Sequence, residues 1–210
     1  MPIQSKYGIF INKKNNKKLV YYPCPKNANT SAKLFFLKHL GIENKFIFIG
    51  DKIPLYKQKE SDLNGLQNLV NFLPSKQPFA EINADFKCCL LRDPLNRFLS
   101  AFKNRILFHK DEEFQNHSID MIIEKLENNL FDNQHFRPQN YFLGKDIKYF
   151  SFHADLKNIS IFVEKVNDFF QKKIHFPKIQ TNNNSSDIKL TKKQEQKLIK
   201  IYQEDYNLFF

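Results

Sequence analysis

Two short apolar runs open the chain, separated by a turn rich in Asn and Lys, in YGIFINKKNNKKLVYYP (residues 7–23). That alternation predicts a β-hairpin whose second strand covers about Lys18 to Tyr22. The strand leads directly into PCPKNANTSAKLFFLKHLG (residues 23–41). From Ser31 to Leu40 the apolar residues Leu34, Phe35, Leu37 and Leu40 recur at near-helical spacing, and Gly41 stands where a helix places its C′ residue. Strand, loop and helix in this order make the first half of a βαβ unit.

The pattern weakens over residues 42–85. GDKIPLYKQKESD reads as a polar connection, and LNGLQNLVNFL as a short amphipathic helix stopped before Pro74. FKCCLLRDP then brings a continuous apolar run, Cys88 to Leu91, as in a strand buried on both faces of a parallel sheet. LNRFLSAFKNRILF follows as a helix with Phe98, Leu99, Phe102 and Ile106 inward, so strand, charged loop and helix occur twice. SIDMIIEKLENNLF predicts a further amphipathic helix. KYFSF and ISIFVEKV read as two strands, or as a strand and a helix start. LTKKQEQKLIKIYQEDYNLFF predicts a C-terminal helix with Leu198, Ile201 and Tyr202 inward, and TNNNSSD is an exposed loop of low complexity that could close over a ligand. The expected fold class is α/β, a central parallel sheet flanked by helices, in one domain over residues 1–210.

Composition narrows the class. With 41% hydrophobic residues and 23 Phe in 210 residues, the chain has ample core-forming material even without Trp. No window reaches the roughly 18–20 apolar residues of a membrane span, and MPIQSKYGIF lacks a charged region followed by an apolar one, so a soluble, cytoplasmic protein is expected. Cys24, Cys88 and Cys89 read as core thiols of a reducing compartment, with no zinc-ligand spacing and no metal expected. The formal charge of +11 would attract a polyanion, be it nucleic acid, anionic glycan or a multiply phosphorylated small molecule, but the basic residues are scattered among Asn, Ile and Phe, a bias that also resembles the codon composition of an AT-rich genome.

The two strand-to-helix loops carry the candidate chemistry. In doubly wound sheets ligands lie beyond the carboxyl ends of the strands, where helix N-termini present unpaired N–H groups. In PKNANTS, Lys26 offers a point charge while Thr30 and Ser31 open the helix with hydroxyls and backbone donors. In RDPLNRFLS, Arg92 at a strand end and Ser100 on the next helix suit a second phosphate. Two grips on one sheet point to a ligand phosphorylated at two positions. The glycine pattern GxxxxGK[ST] is missing, which disfavours a nucleoside triphosphatase.

In that order and context, PKNANTS and RDPLNRFLSAFKNR resemble the two cofactor signatures of the sulfotransferases that use 3′-phosphoadenosine 5′-phosphosulfate, in particular the carbohydrate sulfotransferase branch. HFRPQNYFL is similar to the His, Pro, Gln segment of that branch and IYQEDYNLF to its C-terminal ending, so the matches span Pro23 to Phe210. The resemblance implies an α/β fold with a phosphate loop related to that of nucleotide kinases. It also implies that Lys26, Asn27, Asn29, Thr30 and Ser31 hold the 5′-phosphosulfate, Asn27 mainly through its backbone, and that Arg92 and Ser100 hold the 3′-phosphate. Ala28 stands where many members have Gly, so a slightly wider loop is expected. That branch is usually tethered in the Golgi by an N-terminal helix; this sequence shows none, which favours a bacterial or viral cytosolic enzyme.

Sulfuryl transfer requires in-line attack, cations around the migrating group, and a base for the acceptor proton. Lys26 would stabilise the leaving phosphate without a metal. A base titrating near neutrality favours histidine, and His135, beside Arg137 and Gln139, is the candidate; a structural hydrogen-bonding role for it, or His109 or a Glu as base, stays open. Arg97 and Arg105 read as a solvated or acidic-substrate face, Asp93 as a residue orienting the loop, and Arg137 as a contact for an acidic acceptor or a surface ion pair. The acceptor is expected to be a carbohydrate hydroxyl, with its specificity in residues 42–85 and 107–150. The rival readings are a nucleotide or small-molecule kinase, which would need magnesium and a carboxylate to hold it, a basic nucleic-acid-binding protein, and a catalytically inactive binder of the same fold.

Overall fold

The computed structural model describes residues 8–12, 15–41, 66–67, 83–129, 133–178 and 188–210. The expected hairpin forms: β1 (Gly8–Asn12) pairs antiparallel with β2 (Lys17–Tyr22), in a register that sets Phe10 opposite Leu19. β2 then pairs in parallel with β4 (Phe86–Leu91), and β4 in parallel with β5 (Phe152–Asp155). β3 is a two-residue strand, Leu66–Gln67, antiparallel to β1, and the sheet order is β3-β1-β2-β4-β5. The class is therefore α/β, with parallel strands flanked by helices and an antiparallel arm added at one edge.

Burial on both faces explains why β2 and β4 lie centrally. Leu19 and Tyr21 of β2, with Cys88 and Leu90 of β4, face one layer formed by α1 (Asn29–Leu40) and α5 (Ile159–Phe170). Their neighbours Val20, Tyr22, Cys89 and Leu91 face the other way, onto Leu143 and Phe150. Strands apolar at every position are stable only between two covering layers. A third apolar cluster joins α2 (Pro94–Phe102), α3 (Ile119–Glu127) and α6 (Lys192–Ile201) through Phe98, Phe102, Ile123 and Leu198.

Local signals account for most helix ends. Gly41 adopts φ 69°, ψ 29° and closes α1, as its place in the sequence predicts. Asp93 caps α2, accepting from the Asn96 N–H at 2.9 Å, and Pro94 opens the helix. Beyond Phe102 the same helix widens into a π turn, Lys103–Phe108, marked by the His109 N–H to Asn104 carbonyl bond at 2.9 Å. ISIFVEKV is a helix, resolving the alternative left by the sequence.

Three expectations need amendment. Of LNGLQNLVNFL, the described residues Leu66–Gln67 run as strand and not helix, because β1 offers an open edge; the rest lies outside the described residues, as does TNNNSSD. The C-terminal helix is broken at Tyr202 (φ −100°, ψ 19°) into α6 and α7 (Gln203–Phe209), and the buried Tyr202 hydroxyl donates to the Phe136 carbonyl at 2.7 Å. On α1, Phe36 and His39 are buried while Leu34 and Leu40 are only half-buried. His39 stacks on Phe170 and meets the edge of Phe35, both at 4.7 Å, and burial among these rings, with Lys172 nearby, pushes its pKa down to about 4.

Candidate anion-binding site at the carboxyl ends of β2 and β4

Parallel pairing of β2 with β4 puts the two loops singled out in the sequence side by side at the same end of the sheet. They are joined by direct bonds. The Arg92 guanidinium donates from Nη1 to the Lys26 carbonyl at 2.9 Å, so the second loop's cation lies against the first loop's backbone. Asn27 is fully buried, and its Nδ2 donates to the Leu90 carbonyl and to Gln139 Oε1, each at 2.7 Å. Its N–H is turned to the Cys24 carbonyl at 3.2 Å, so in this state Asn27 braces the loop through both its side chain and its backbone.

Gln139 is the clamp between the loops. Besides Asn27, its Oε1 accepts the Arg92 N–H at 3.1 Å, and its Nε2 donates to the Arg92 carbonyl at 2.9 Å. Its own N–H, with that of Asn140, donates to the Asp205 carboxylate at 2.6 and 2.9 Å. Asp205, on α7, thus ties α4 (Asn140–Leu143) to the C-terminal helix, and burial pushes its carboxyl above the usual carboxylate range despite those donors.

Arg97 departs from expectation. It does not lie on a solvated face: it is 1% exposed, with Nε donating to the Pro25 carbonyl at 2.9 Å and Nη1 to the Arg137 carbonyl at 2.6 Å. The reason is helix phase, because Arg97 shares the stripe of Phe98, Ala101 and Phe102. Its Nη2 has no hydrogen-bond partner among the described residues. Arg105 is not a solvated residue either; it makes a forked pair with the Asp111 carboxylate, both contacts 2.6 Å. Asp93 orients its loop as expected, capping α2 and also accepting from the Tyr206 hydroxyl at 3.2 Å. Arg137 lies over the Tyr141 ring at 4.4 Å.

The first loop has the geometry of an anion cradle. Lys26 (φ 69°) and Ala28 (φ 54°) both adopt positive φ, with Asn27 between them, and the N-cap of α1 is Ala28, which has no side chain to bond the first-turn N–H groups. No acidic residue occupies the first turn of either α1 or α2. Side chains cap α2, α3 and α6 (Asp93, Ser118 and Thr191), whereas α1, like α4, α5 and α7, has no side-chain cap. Asn29 accepts the Tyr21 hydroxyl at 3.1 Å, Ser31 is buried, Thr30 is half-buried, and Ser100 is half-buried in the second turn of α2. Alanine at φ 54° carries steric strain that glycine would not. Ala28→Gly is expected to raise stability by about 1 kcal/mol in urea denaturation while keeping ligand affinity; a loss of stability would show that the conformation is held without strain.

His135 is half-buried beside the cradle. Burial, then the charges of Lys26, Arg105 and Arg97, push its pKa down to about 3, with Asp111 pulling the other way. The near-neutral titration expected from the sequence is thus displaced downward by burial and neighbouring charge. Its Nδ1 lies 2.7 Å from Asn133 Oδ1, which also accepts the His135 N–H at 3.0 Å. The cysteines are not nucleophiles: all three are buried free thiols, and burial pushes Cys24 up to about 12.

The site thus joins an uncapped helix N-terminus, a lysine, two arginines and a neutral imidazole. Gln139, Arg97, Asp205 and Asn133 were absent from the sequence-derived list. Helical periodicity could have flagged Arg97, while the others meet their partners only through tertiary packing. Among known families, the description "Sulfotransferase family" matches residues 7–210 of this chain. No curated protein and no solved structure matches it.

Proposed function

We propose, from the premise that this chain belongs to the sulfotransferase family, that it transfers a sulfuryl group from 3′-phosphoadenosine 5′-phosphosulfate to a hydroxyl, with a carbohydrate as the acceptor. The observation that carries the reading is the pairing of the uncapped, acid-free N-terminus of α1 with Arg92 and the buried Arg97, whose Nη2 has no hydrogen-bond partner among the described residues. Donors left over in this way fit an anionic group with phosphates at two positions. Lys26, Asn29, Thr30 and Ser31 would hold the 5′ end, with Asn27 bracing the loop, and Arg92 and Ser100 would hold the 3′-phosphate. When bound, the donor supplies the sulfuryl group and a phosphate leaving group.

Within this reading Lys26 offsets charge on the leaving oxygen, and the N–H groups opening α1 orient the donor for in-line attack. His135 takes the acceptor proton. Burial is the main cause of the low His135 pKa; a polyanion held among Lys26, Arg97 and Arg105 would offset the smaller, repulsive part and raise its basicity. Among the described residues no helix is long and apolar enough to cross a membrane; a cytoplasmic setting, in which Cys24, Cys88 and Cys89 stay reduced, belongs to the same proposal.

Calorimetric titration with 3′-phosphoadenosine 5′-phosphate, alongside ATP with magnesium, tests the donor. Binding selective for the bisphosphate and weakened at least about tenfold in Arg92→Ala is expected, that being the effect of losing one charge-assisted contact. Equal affinity for ATP, or none for either, would overturn the donor assignment and favour a kinase or a nucleic-acid-binding protein. Mass-spectrometric screening of hydroxylated glycans for a gained sulfuryl group then tests the acceptor.

A further inference from the structure

Beside the cradle runs a chain of polar contacts that the donor site does not use. The Arg105 guanidinium forks onto Asp111; Asn133 Nδ2 donates to Glu113 Oε1 at 2.6 Å and to Asp111 Oδ2 at 3.3 Å; Asn133 Oδ1 meets both the N–H and the Nδ1 of His135. A carboxylate only accepts hydrogen bonds, so two carboxylates on one end of the Asn133 amide identify that end as the NH2 group. The other end must then be the carbonyl oxygen, which also only accepts. Its partner at 2.7 Å, His135 Nδ1, therefore carries the hydrogen.

We infer that Asn133 is a positioning residue that holds His135 as the Nδ1–H tautomer and so leaves the Nε2 lone pair for the proton of the acceptor hydroxyl. The inference rests on the reading of His135 as base. In the step it serves, the acceptor oxygen forms its bond to sulfur, its proton passes to Nε2, and the sulfur–oxygen bond to the 5′-phosphate breaks with its electron pair going to that phosphate oxygen. The Nδ1–H tautomer is the one a free imidazole in water favours less, so a specific acceptor is needed to impose it. Asp111 and Glu113 do not touch the ring; they orient Asn133, and Arg105 holds Asp111 in place. The arrangement serves the same end as a carboxylate oriented on a catalytic imidazole, but with a neutral amide that leaves the ring uncharged.

Nitrogen-15 spectra of histidine-labelled protein at neutral pH, with the His135 signals assigned by their loss in His135→Gln, read the tautomer directly. The expected result is a protonated Nδ1 and an unprotonated Nε2 in the native protein, and a shift toward protonated Nε2 in Asn133→Ala. In the same variant kcat should fall about 10- to 100-fold while affinity for 3′-phosphoadenosine 5′-phosphate is unchanged, a split that general misfolding would not produce. A protonated Nε2 in the native protein, or Asn133→Ala with the native tautomer and full kcat, overturns the role of Asn133 alone. Full turnover in His135→Gln overturns the base reading, and the role of Asn133 in turnover with it, so the two failures are told apart.

Discussion

Lys26→Ala is expected to lower turnover roughly 10²- to 10³-fold, about 3 to 4 kcal/mol of transition-state stabilisation. Three features of the site set that size. The ammonium is close enough to His135 to be the largest charge effect on its pKa, which in the proposed reaction sets it between the base and the leaving group. The neighbouring guanidiniums are held in place by protein bonds, Arg92 Nη1 to the Lys26 carbonyl, Arg97 to the Pro25 and Arg137 carbonyls and Arg105 to Asp111, so none can move into the position that the ammonium leaves. Finally, alanine keeps a Cβ at φ 69°, so the substitution removes charge without relaxing the loop backbone. A second readout is independent of turnover. Loss of the lysine charge should raise the His135 pKa above about 3, although burial, the larger cause, keeps it below an ordinary histidine. Turnover within about twofold of native, with an unmoved histidine titration, would remove Lys26 from the chemistry.

Arg97→Leu is expected to destabilise the protein by about 3 to 5 kcal/mol, the usual cost of breaking a buried charge network from one side. The leucine would fit the apolar stripe of α2, but it cannot bond the carbonyls of Pro25 and Arg137, and Asp205 would lose a neighbouring positive charge while remaining fully buried. For a chain of this size that loss corresponds to a fall in Tm on the order of 10 °C. Thermal denaturation followed by circular dichroism measures it. A change of only about 2 °C would show that water or a rearranged loop replaces the guanidinium, and that Arg97 is kept for the ligand and not for the fold.

These two residues mark how far the sequence could be read. Lys26 was legible because its signal is local: a strand, a short polar loop and a helix start determine where that side chain must lie. The same holds for Arg92 at the end of β4, for Gly41 closing α1, and for the hairpin. Arg97 was legible in principle, through its i, i+4 relation to Ala101, yet a buried arginine is rare enough that charge outweighs periodicity in a sequence reading. His135 was singled out through its neighbours in a matching segment, but its titration is set first by burial and then by cations of the first loop and of the α2 helix with its π extension, which only packing brings together.

The sequence by itself determined the hairpin, the two strand-to-helix units and the two loops at the sheet's carboxyl edge, since turn chemistry and hydrophobic period act over a few residues. Only the tertiary structure decided which groups those loops lean on. Gln139 reaches Asn27 and Arg92 across 112 and 47 residues, and Asp205 reaches Gln139 across 66. Asn133 meets Asp111 and Glu113 across 22 and 20 residues, with the whole of α3 between them. Hydrogen-bond partners at such separations are chosen by which buried donors and acceptors the packed layers bring together, and a buried polar group accepts whichever complementary group arrives.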